Sequence, residues 1–126
     1  MITLISGTNR ALAKTDALTG YISNLLEDRG IPCQVLYLKD LKADFLNSIM
    51  YNSANQSDQL RELQDTYVRD ATKFVVLSPE YNGSFPGILK LFIDAISVRD
   101  YALNFQEKKI ALIGLSSGWA GNFRGM

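Results

Sequence analysis

The chain has 126 residues, of which 47% are apolar and 21% are charged, and its 13 Lys and Arg balance 13 Asp and Glu. This length and composition are typical of one globular domain with one core. The zero net charge, without any basic run, gives no electrostatic reason to expect a nucleic acid or a membrane surface as a partner.

The sequence contains no histidine, and Cys33 is its only cysteine. Ser-His-Asp and Cys-His catalysis are therefore excluded, as are zinc sites built from His and Cys. A lone cysteine forms no intramolecular disulfide, which suits a reducing compartment, and no segment resembles a signal peptide or a membrane span. We expect a cytoplasmic protein and, if it is an enzyme, an organic cofactor that carries the chemistry.

The first two predicted elements are a strand and a helix. Residues 2–6 (ITLIS) form a short apolar run that predicts a buried strand. Residues 15–30 carry an apolar stripe at helical spacing, with Thr19 and Ser23 off the stripe, which predicts an amphipathic helix. The stripe consists of Leu18, Tyr21, Ile22, Leu25 and Leu26.

The middle of the chain predicts a strand, a long loop and a second helix. Residues 33–38 (CQVLYL) predict a strand, and Gln34 suggests an edge position. Residues 39–56 lack clear periodicity and indicate a long loop with a helical turn. Residues 57–71 predict a helix capped by Ser57. Its apolar side consists of Leu60, Leu63, Tyr67 and Ala71.

Two more strands flank a third helix. Residues 73–78 (KFVVLS) are apolar almost throughout, as expected for a strand covered on both faces. Residues 86–98 predict a helix with proline in its first turn, and only Lys90 and Asp94 interrupt its apolar surface, which suggests deep burial or a subunit interface. Residues 109–115 (KIALIGL) predict the fourth strand.

Strands and helices that alternate in this way predict an α/β domain with a doubly wound parallel sheet. Ligands of such sheets bind at the carboxyl ends of the strands, near the point where strand order reverses. Three connections follow strands at that end. They are the first loop (residues 6–15, SGTNRALAKT), the second loop (residues 79–87, PEYNGSFPG) and the third loop (residues 116–122, SSGWAGN).

The first loop joins a strand to a helix, and a helix N-terminus attracts phosphate. Thr8 and Thr15 can donate hydroxyl hydrogen bonds, and Arg10 can bind two phosphate oxygens at once. Neither the Gly-x-Gly-x-x-Gly dinucleotide fingerprint nor a Walker loop is present. A generic polar turn with a capping Thr uses the same residue types, so this loop alone leaves both interpretations open.

The second and third loops have features that suit a flat ligand. Pro79 and Pro86 stiffen the second loop, whose main-chain amides, Tyr81 and Asn82 can hold a heteroaromatic ring. The alternative is a tight turn whose aromatic side chains pack on the domain. Small residues in the third loop allow close approach of the backbone, and Trp119 either covers a ligand or packs.

Together, the three loops suit a mononucleotide with a flat base, such as flavin mononucleotide (FMN). The segment PEYNGSFPGILKLFIDAIS (79–97) closely resembles the signature of the NADPH-dependent FMN reductases of the flavodoxin-like superfamily. ISGTNR (5–10) resembles the phosphate loop of that family, and IGLSSGWAGNFRG (113–125) resembles the segment after its fourth strand. The resemblance covers essentially the whole chain.

This resemblance implies a three-layer flavodoxin-like α/β fold with strand order 2-1-3-4-5, FMN at the strand ends, NAD(P)H as co-substrate, and a homodimer or homotetramer. The residues implied to bind the FMN phosphate are Thr8, Arg10 and Thr15. Those implied to line the isoalloxazine ring, mostly through main chain, are Pro79, Glu80, Tyr81, Asn82 and Gly83. Those implied at the other end of the ring are Ser116, Ser117 and Gly118.

The chain departs from the family pattern in two places. Ala13 and Lys14 stand where the family usually has Ser and often Asn, so a hydroxyl donor is lost and a charge of different geometry is present. Family members also continue with a helix and a fifth strand after GNFRGM. We therefore expect one domain, residues 1–126, that lacks its C-terminal helix and strand and leaves residues 109–115 as an exposed edge.

The implied function is that of an FMN-binding NAD(P)H-dependent oxidoreductase. Hydride passes from nicotinamide to the flavin, and electrons then pass to a flavin, quinone, azo or metal acceptor, with no catalytic side chain and no metal site. Two alternatives stay open. One is a flavodoxin-type electron carrier, against which the balanced charge argues, and the other is a truncated protein that has lost flavin binding.

Overall fold

Four parallel strands form the sheet, in the order β2-β1-β3-β4. The computed structural model describes residues 1–125. The strands are β1 (Ile2–Ser6), β2 (Cys33–Tyr37), β3 (Lys73–Pro79) and β4 (Lys109–Leu115). Leu4 of β1 pairs with Val35 of β2 and Val75 of β3, so strand order reverses beside β1. The predicted doubly wound, flavodoxin-like layout is confirmed, and β1 and β4 have the predicted bounds.

Helices flank the sheet. They are α1 (Lys14–Glu27), α2 (Asp58–Leu63), which continues as a π-helix over Gln64–Arg69, α3 (Gly87–Ile96) and α4 (Tyr101–Phe105). The predicted cap is confirmed, since the Ser57 hydroxyl accepts a hydrogen bond from the main-chain N–H of Leu60. The long loop after β2 contains three short 3₁₀ turns. No helix within residues 1–125 is long and apolar enough to cross a membrane.

The buried face of α1 differs from the predicted stripe. Thr15, Thr19 and Ser23 are buried against the sheet, whereas Tyr21 of the apolar stripe is 60% exposed. Small side chains let the helix lie close to the sheet, and the Ser23 hydroxyl lies 3.5 Å from the Cys33 sulfur of β2. Leu18, Ile22, Leu25 and Leu26 of the stripe are half-buried, so the predicted amphipathic helix is present, and its most buried positions are the small polar residues beside the stripe.

The main core lies on the other face of the sheet, where Ile5 and Phe74 of the central strands pack against Leu89 and Phe92 of α3. At the edge, Ile110 and Leu112 of β4 are 53% and 55% exposed. Within residues 1–125 β4 has a neighbour on one side only and forms an edge of the sheet. This arrangement brings all three loops to one end of the sheet.

Candidate functional site

The first loop begins where β1 lies very close to β3. The Gly7 N–H donates to the Leu77 carbonyl oxygen at 2.8 Å. Thr8, the next residue, is fully buried. Its Oγ1 accepts from the Arg10 N–H at 3.1 Å and lies 2.5 Å from the Tyr81 hydroxyl of the second loop. The first two loops are therefore joined by a side-chain hydrogen bond.

The N-terminus of α1 has no side-chain cap. Ala13 occupies the N-cap position, so the capping Thr of the generic-turn interpretation is absent. Among residues 1–125, the main-chain N–H groups of Lys14 and Thr15 and the Thr15 hydroxyl find no hydrogen-bond acceptor or donor. Uncapped N–H groups at the positive end of a helix dipole attract an anion.

Charges around this helix terminus favour an anion as well. Asp16, the acidic residue of the first turn, accepts from the Ser6 hydroxyl at 2.6 Å and pairs with Lys39 at 2.9 Å. The hydrogen bond with Asp16 is the main cause that raises the pKa of Lys39. Arg10 is exposed and makes no side-chain hydrogen bond or ion pair within residues 1–125. One carboxylate is thus neutralised, and the Arg10 and Lys14 charges remain available.

A tight two-residue turn shapes the second loop. Tyr81 and Ser84 exchange main-chain hydrogen bonds of 2.8 and 3.2 Å, and the residues between them, Asn82 and Gly83, have φ angles of 54° and 80°. Positive φ at both central positions is the geometry of a type I′ turn, which Asn-Gly sequences favour. The Gly83 N–H donates to a Glu80 carboxylate oxygen, whereas the Asn82 N–H has no acceptor within residues 1–125.

Asn122 holds the ends of β3 and β4 together. Its buried amide nitrogen donates to the Ser78 carbonyl oxygen at 2.5 Å and to the Leu115 carbonyl oxygen at 3.3 Å. The Glu80 N–H also donates to the Leu115 carbonyl oxygen, at 2.7 Å. The second and third loops are consequently fixed to each other at the rim of the sheet.

A cleft of about 550 Å³ opens between the second and third loops. This volume lies within the usual range for small-molecule sites. Trp119 and Phe123 are almost completely exposed and form apolar walls, with Arg124 beside them. The lining residues are Glu80, Gly83, Ser116, Gly118, Trp119, Ala120, Gly121, Phe123 and Arg124.

The predicted site residues fall into two groups. Glu80, Gly83, Ser116 and Gly118 line the cleft. The residues that lie outside its lining are Thr8, Arg10, Thr15, Pro79, Tyr81, Asn82 and Ser117. Of these, the first three belong to the first loop, and Tyr81 connects that loop to the cleft side. Their contacts with FMN stay a prediction.

Sequence reasoning did not identify Lys39, Phe123 or Arg124 as site residues. Lys39 follows β2, and its place beside α1 depends on the strand order. An aromatic residue next to an arginine, directly after the third loop, was the available signal for the other two. Among residues 1–125, no group of three or more His, Cys, Asp or Glu side chains is arranged to hold a metal ion.

These residues fit FMN. The uncapped helix terminus with its cationic side chains suits a phosphate, and the cleft with aromatic walls suits a flat ring. The close approach at Gly7, where an added Cβ would lie 2.8 Å from the Leu77 carbonyl oxygen, keeps the first loop next to the strand that leads into the second.

The strand order and the three loops define a flavodoxin-like α/β protein. More specifically, the family model described as NADPH-dependent FMN reductase matches residues 1–125, and the chain belongs to that family. The recognition made from the sequence is therefore confirmed.

Relatives and solved structures agree with this assignment. The FMN-dependent NADPH-azoreductase of Staphylococcus saprophyticus is 30% identical over 117 residues, which are 91% of this chain and 60% of the azoreductase. FerB, a flavoenzyme NAD(P)H:(acceptor) oxidoreductase from Paracoccus denitrificans, is 27% identical with a TM-score of 0.73, over 94% of this chain and 62% of FerB. An NADH:FMN oxidoreductase in its apo form, 22% identical with a TM-score of 0.70 over 94% of this chain and 59% of its own, shares the fold. The chain spans about 60% of the length of the curated relatives it matches.

Proposed function

We propose that the chain binds FMN and belongs to an NAD(P)H-dependent oxidoreductase. The observation that carries this proposal is the pairing of an uncapped α1 N-terminus with an aromatic cleft at the same end of the sheet. A ligand with a phosphate at one end and a flat ring at the other suits both features. When bound, FMN supplies two-electron chemistry, taking hydride from a nicotinamide and passing electrons to a flavin, quinone, azo or metal acceptor.

The side chains and main chain of this protein bind FMN and orient its ring. Arg10, the Thr15 hydroxyl and the first N–H groups of α1 hold the phosphate. The main chain of residues 79–83 lies along the ring, and residues 116–118 meet its other end. Trp119 and Phe123 offer aromatic surface against which the ring can pack. Since hydride transfer needs orientation rather than a protein acid or base, no side chain carries a catalytic proton.

The wider expectations follow from the same proposal. We propose a cytoplasmic homo-oligomer, because the family resemblance implies a dimer or tetramer. The strongly apolar helix α3 also leaves one of its apolar side chains, Ile93, 42% exposed, where a second subunit could cover it. We propose NADPH or NADH as the co-substrate, since the similar proteins include an NADPH-azoreductase, an NADH:FMN oxidoreductase and an NAD(P)H:(acceptor) oxidoreductase. The expectation that the domain lacks a C-terminal helix and strand stays a prediction.

A matched pair of variants tests the binding mode. Thr15→Val removes a hydroxyl at the uncapped helix start, and Thr19→Val removes one a turn later on the same face, where it donates to the Thr15 carbonyl oxygen. We expect Thr15→Val to weaken FMN binding about 3- to 10-fold, the effect of one hydrogen bond, and Thr19→Val to leave it unchanged. Flavin fluorescence titration measures both.

Turnover separates the enzyme from the electron carrier. Purified protein with FMN should consume NADPH or NADH steadily, measured by the loss of nicotinamide absorbance, at a rate well above that of free FMN. FMN binding without turnover would favour the carrier. Failure to bind FMN at all would contradict the proposed function and favour a protein without flavin binding.

A further inference from the structure

Tyr81 lies in the second loop, but its side chain points to the first. Its hydroxyl lies 2.5 Å from Thr8 Oγ1, within the normal range for a hydrogen bond between two hydroxyls. The two residues are 73 positions apart in the sequence. Tyr81 also does not line the cleft, although the turn that carries it borders the cleft through Gly83.

The backbone around Tyr81 is held by the turn that follows it. Tyr81 and Ser84 exchange two main-chain hydrogen bonds across a two-residue turn with positive φ at Asn82 and Gly83. A turn closed in this way leaves little freedom at its first residue. The turn thus fixes the main chain of Tyr81, and the hydrogen bond with Thr8 sets where its hydroxyl lies.

Thr8 connects Tyr81 to the main chain of the first loop. Its Oγ1 accepts from the Arg10 N–H at 3.1 Å, and the residue is completely buried. A hydroxyl engaged on both sides and without exposed surface acts on a ligand through its partners. The hydrogen-bonded chain from Tyr81 through Thr8 ends at Arg10, whose guanidinium is free within residues 1–125.

We propose that Tyr81 is a positioning residue for the phosphate, and that it makes the site select FMN over unphosphorylated riboflavin. This inference rests on the proposed function. Tyr81 holds Thr8, Thr8 holds the main chain of Arg10, and Arg10 binds the phosphate. The flavin ring is common to both ligands, so a residue that acts only on the phosphate changes their affinity ratio.

The test compares the affinities of FMN and riboflavin, both measured by flavin fluorescence titration. Tyr81→Phe keeps the ring and removes the hydroxyl, and Thr8→Val removes the other partner. We expect Tyr81→Phe to weaken FMN binding about 3- to 10-fold, the effect of one hydrogen bond, and Thr8→Val, which removes two, to weaken it at least as much, with riboflavin binding unchanged in both. The double variant should lose no more than Thr8→Val alone, because Thr8→Val already breaks the bond to Tyr81 together with the bond to the Arg10 N–H.

Three further variants make the test specific. Thr8→Ser keeps the hydroxyl and should restore the FMN to riboflavin ratio. In an Arg10→Ala background, Tyr81→Phe should no longer change that ratio. Tyr21→Phe, at an exposed tyrosine of α1, is the matched control and should behave as wild type. Far-UV circular dichroism of each variant checks that the fold is retained, and Tyr81→Phe alone suffices if Thr8→Val does not fold.

Each outcome decides between the claims. An equal loss of FMN and riboflavin affinity in Tyr81→Phe, or no loss of either, overturns the inference and leaves the proposed function standing. A wild-type chain that binds neither flavin overturns the proposed function, and the inference with it. A loss confined to FMN that disappears in the Arg10→Ala background supports the inference.

Discussion

Gly7 lies where the first loop leaves β1, and its substitution by alanine should disturb the sheet at this point. The Gly7 N–H donates to the Leu77 carbonyl oxygen at 2.8 Å. A Cβ at Gly7 would lie 2.8 Å from that same oxygen and 3.1 Å from Leu89 Cδ2. The first distance is too short for a carbon and a backbone oxygen, so the strands must move apart.

The cost of Gly7→Ala has two parts. Overpacking in a well-packed core costs about 1–3 kcal/mol. Weakening the buried hydrogen bond to Leu77 adds about 0.5–1.5 kcal/mol. We therefore expect the free energy of unfolding to fall by roughly 1.5–4.5 kcal/mol, a large share of the roughly 5–15 kcal/mol typical of a domain. The backbone of Gly7 does not lie in the left-handed region, so contact alone causes this loss.

Urea denaturation followed by far-UV circular dichroism measures the effect. Gly87→Ala is the matched control, because Gly87 lies in the first turn of α3 and an added Cβ there meets no atom within 4 Å. That variant should gain about 0.5–1 kcal/mol from helix propensity. If Gly7→Ala were as stable as wild type, the close approach of β1 and β3 would not be the constraint that places the first loop.

Three other stability predictions follow from local geometry. Leu12 is exposed at a φ of 55°, so Leu12→Gly should raise the free energy of unfolding by about 1 kcal/mol, measured by urea denaturation, whereas Leu12→Ala should not. Asn122→Asp would set a carboxylate against two carbonyl oxygens and should lower the free energy of unfolding by at least about 2 kcal/mol. A variant as stable as wild type would contradict the role of Asn122 in joining the ends of β3 and β4. The hydrogen bond from Arg99 is the main cause that lowers the pKa of Asp65 from its ordinary 3.8, so the contribution of Asp65 to stability is present above that pH and is lost as pH falls through the lower folded value. The stability difference between wild type and Asp65→Asn should accordingly be present near about pH 6 and disappear in strong acid, and a difference independent of pH would contradict the assignment.

Sequence patterns were sufficient to predict the strands, because each strand is a short apolar run bounded by polar or turn residues. The bounds of β1 and β4 agree with prediction for this reason, and their parallel order follows from the alternation with helices. The Ser57 cap was likewise local, since it joins residues three positions apart.

Features that depend on tertiary contacts were not predictable in this way. The buried face of α1 carries Thr15, Thr19 and Ser23 because the sheet accepts small side chains at close range, which hydrophobic spacing does not encode. The second helix changes to π geometry at Gln64, whose buried side chain bonds Asn104 of α4, 40 positions away. Neither of these tertiary contacts can be deduced from residues that are neighbours in the sequence.

The candidate site shows the same division. The three loops were predicted from their residues and their places after strands, and Glu80, Gly83, Ser116 and Gly118 do line one cleft. The bond between Thr8 and Tyr81 was missed because it joins two loops through side chains whose directions only the folded backbone sets. The use of the Gly83 N–H by Glu80 is a further contact that motif matching alone would not reveal.

Trp119 offers the most direct test of the central claim that this chain binds FMN in the cleft. It is the single tryptophan of the sequence and forms part of the cleft wall, so its emission reports on that place alone. Titration with FMN should quench Trp119 emission to saturation, with matching loss of flavin fluorescence, and Trp119→Phe should remove only the first signal. Emission that falls without saturation, with FMN separating from the protein on gel filtration, would contradict the claim.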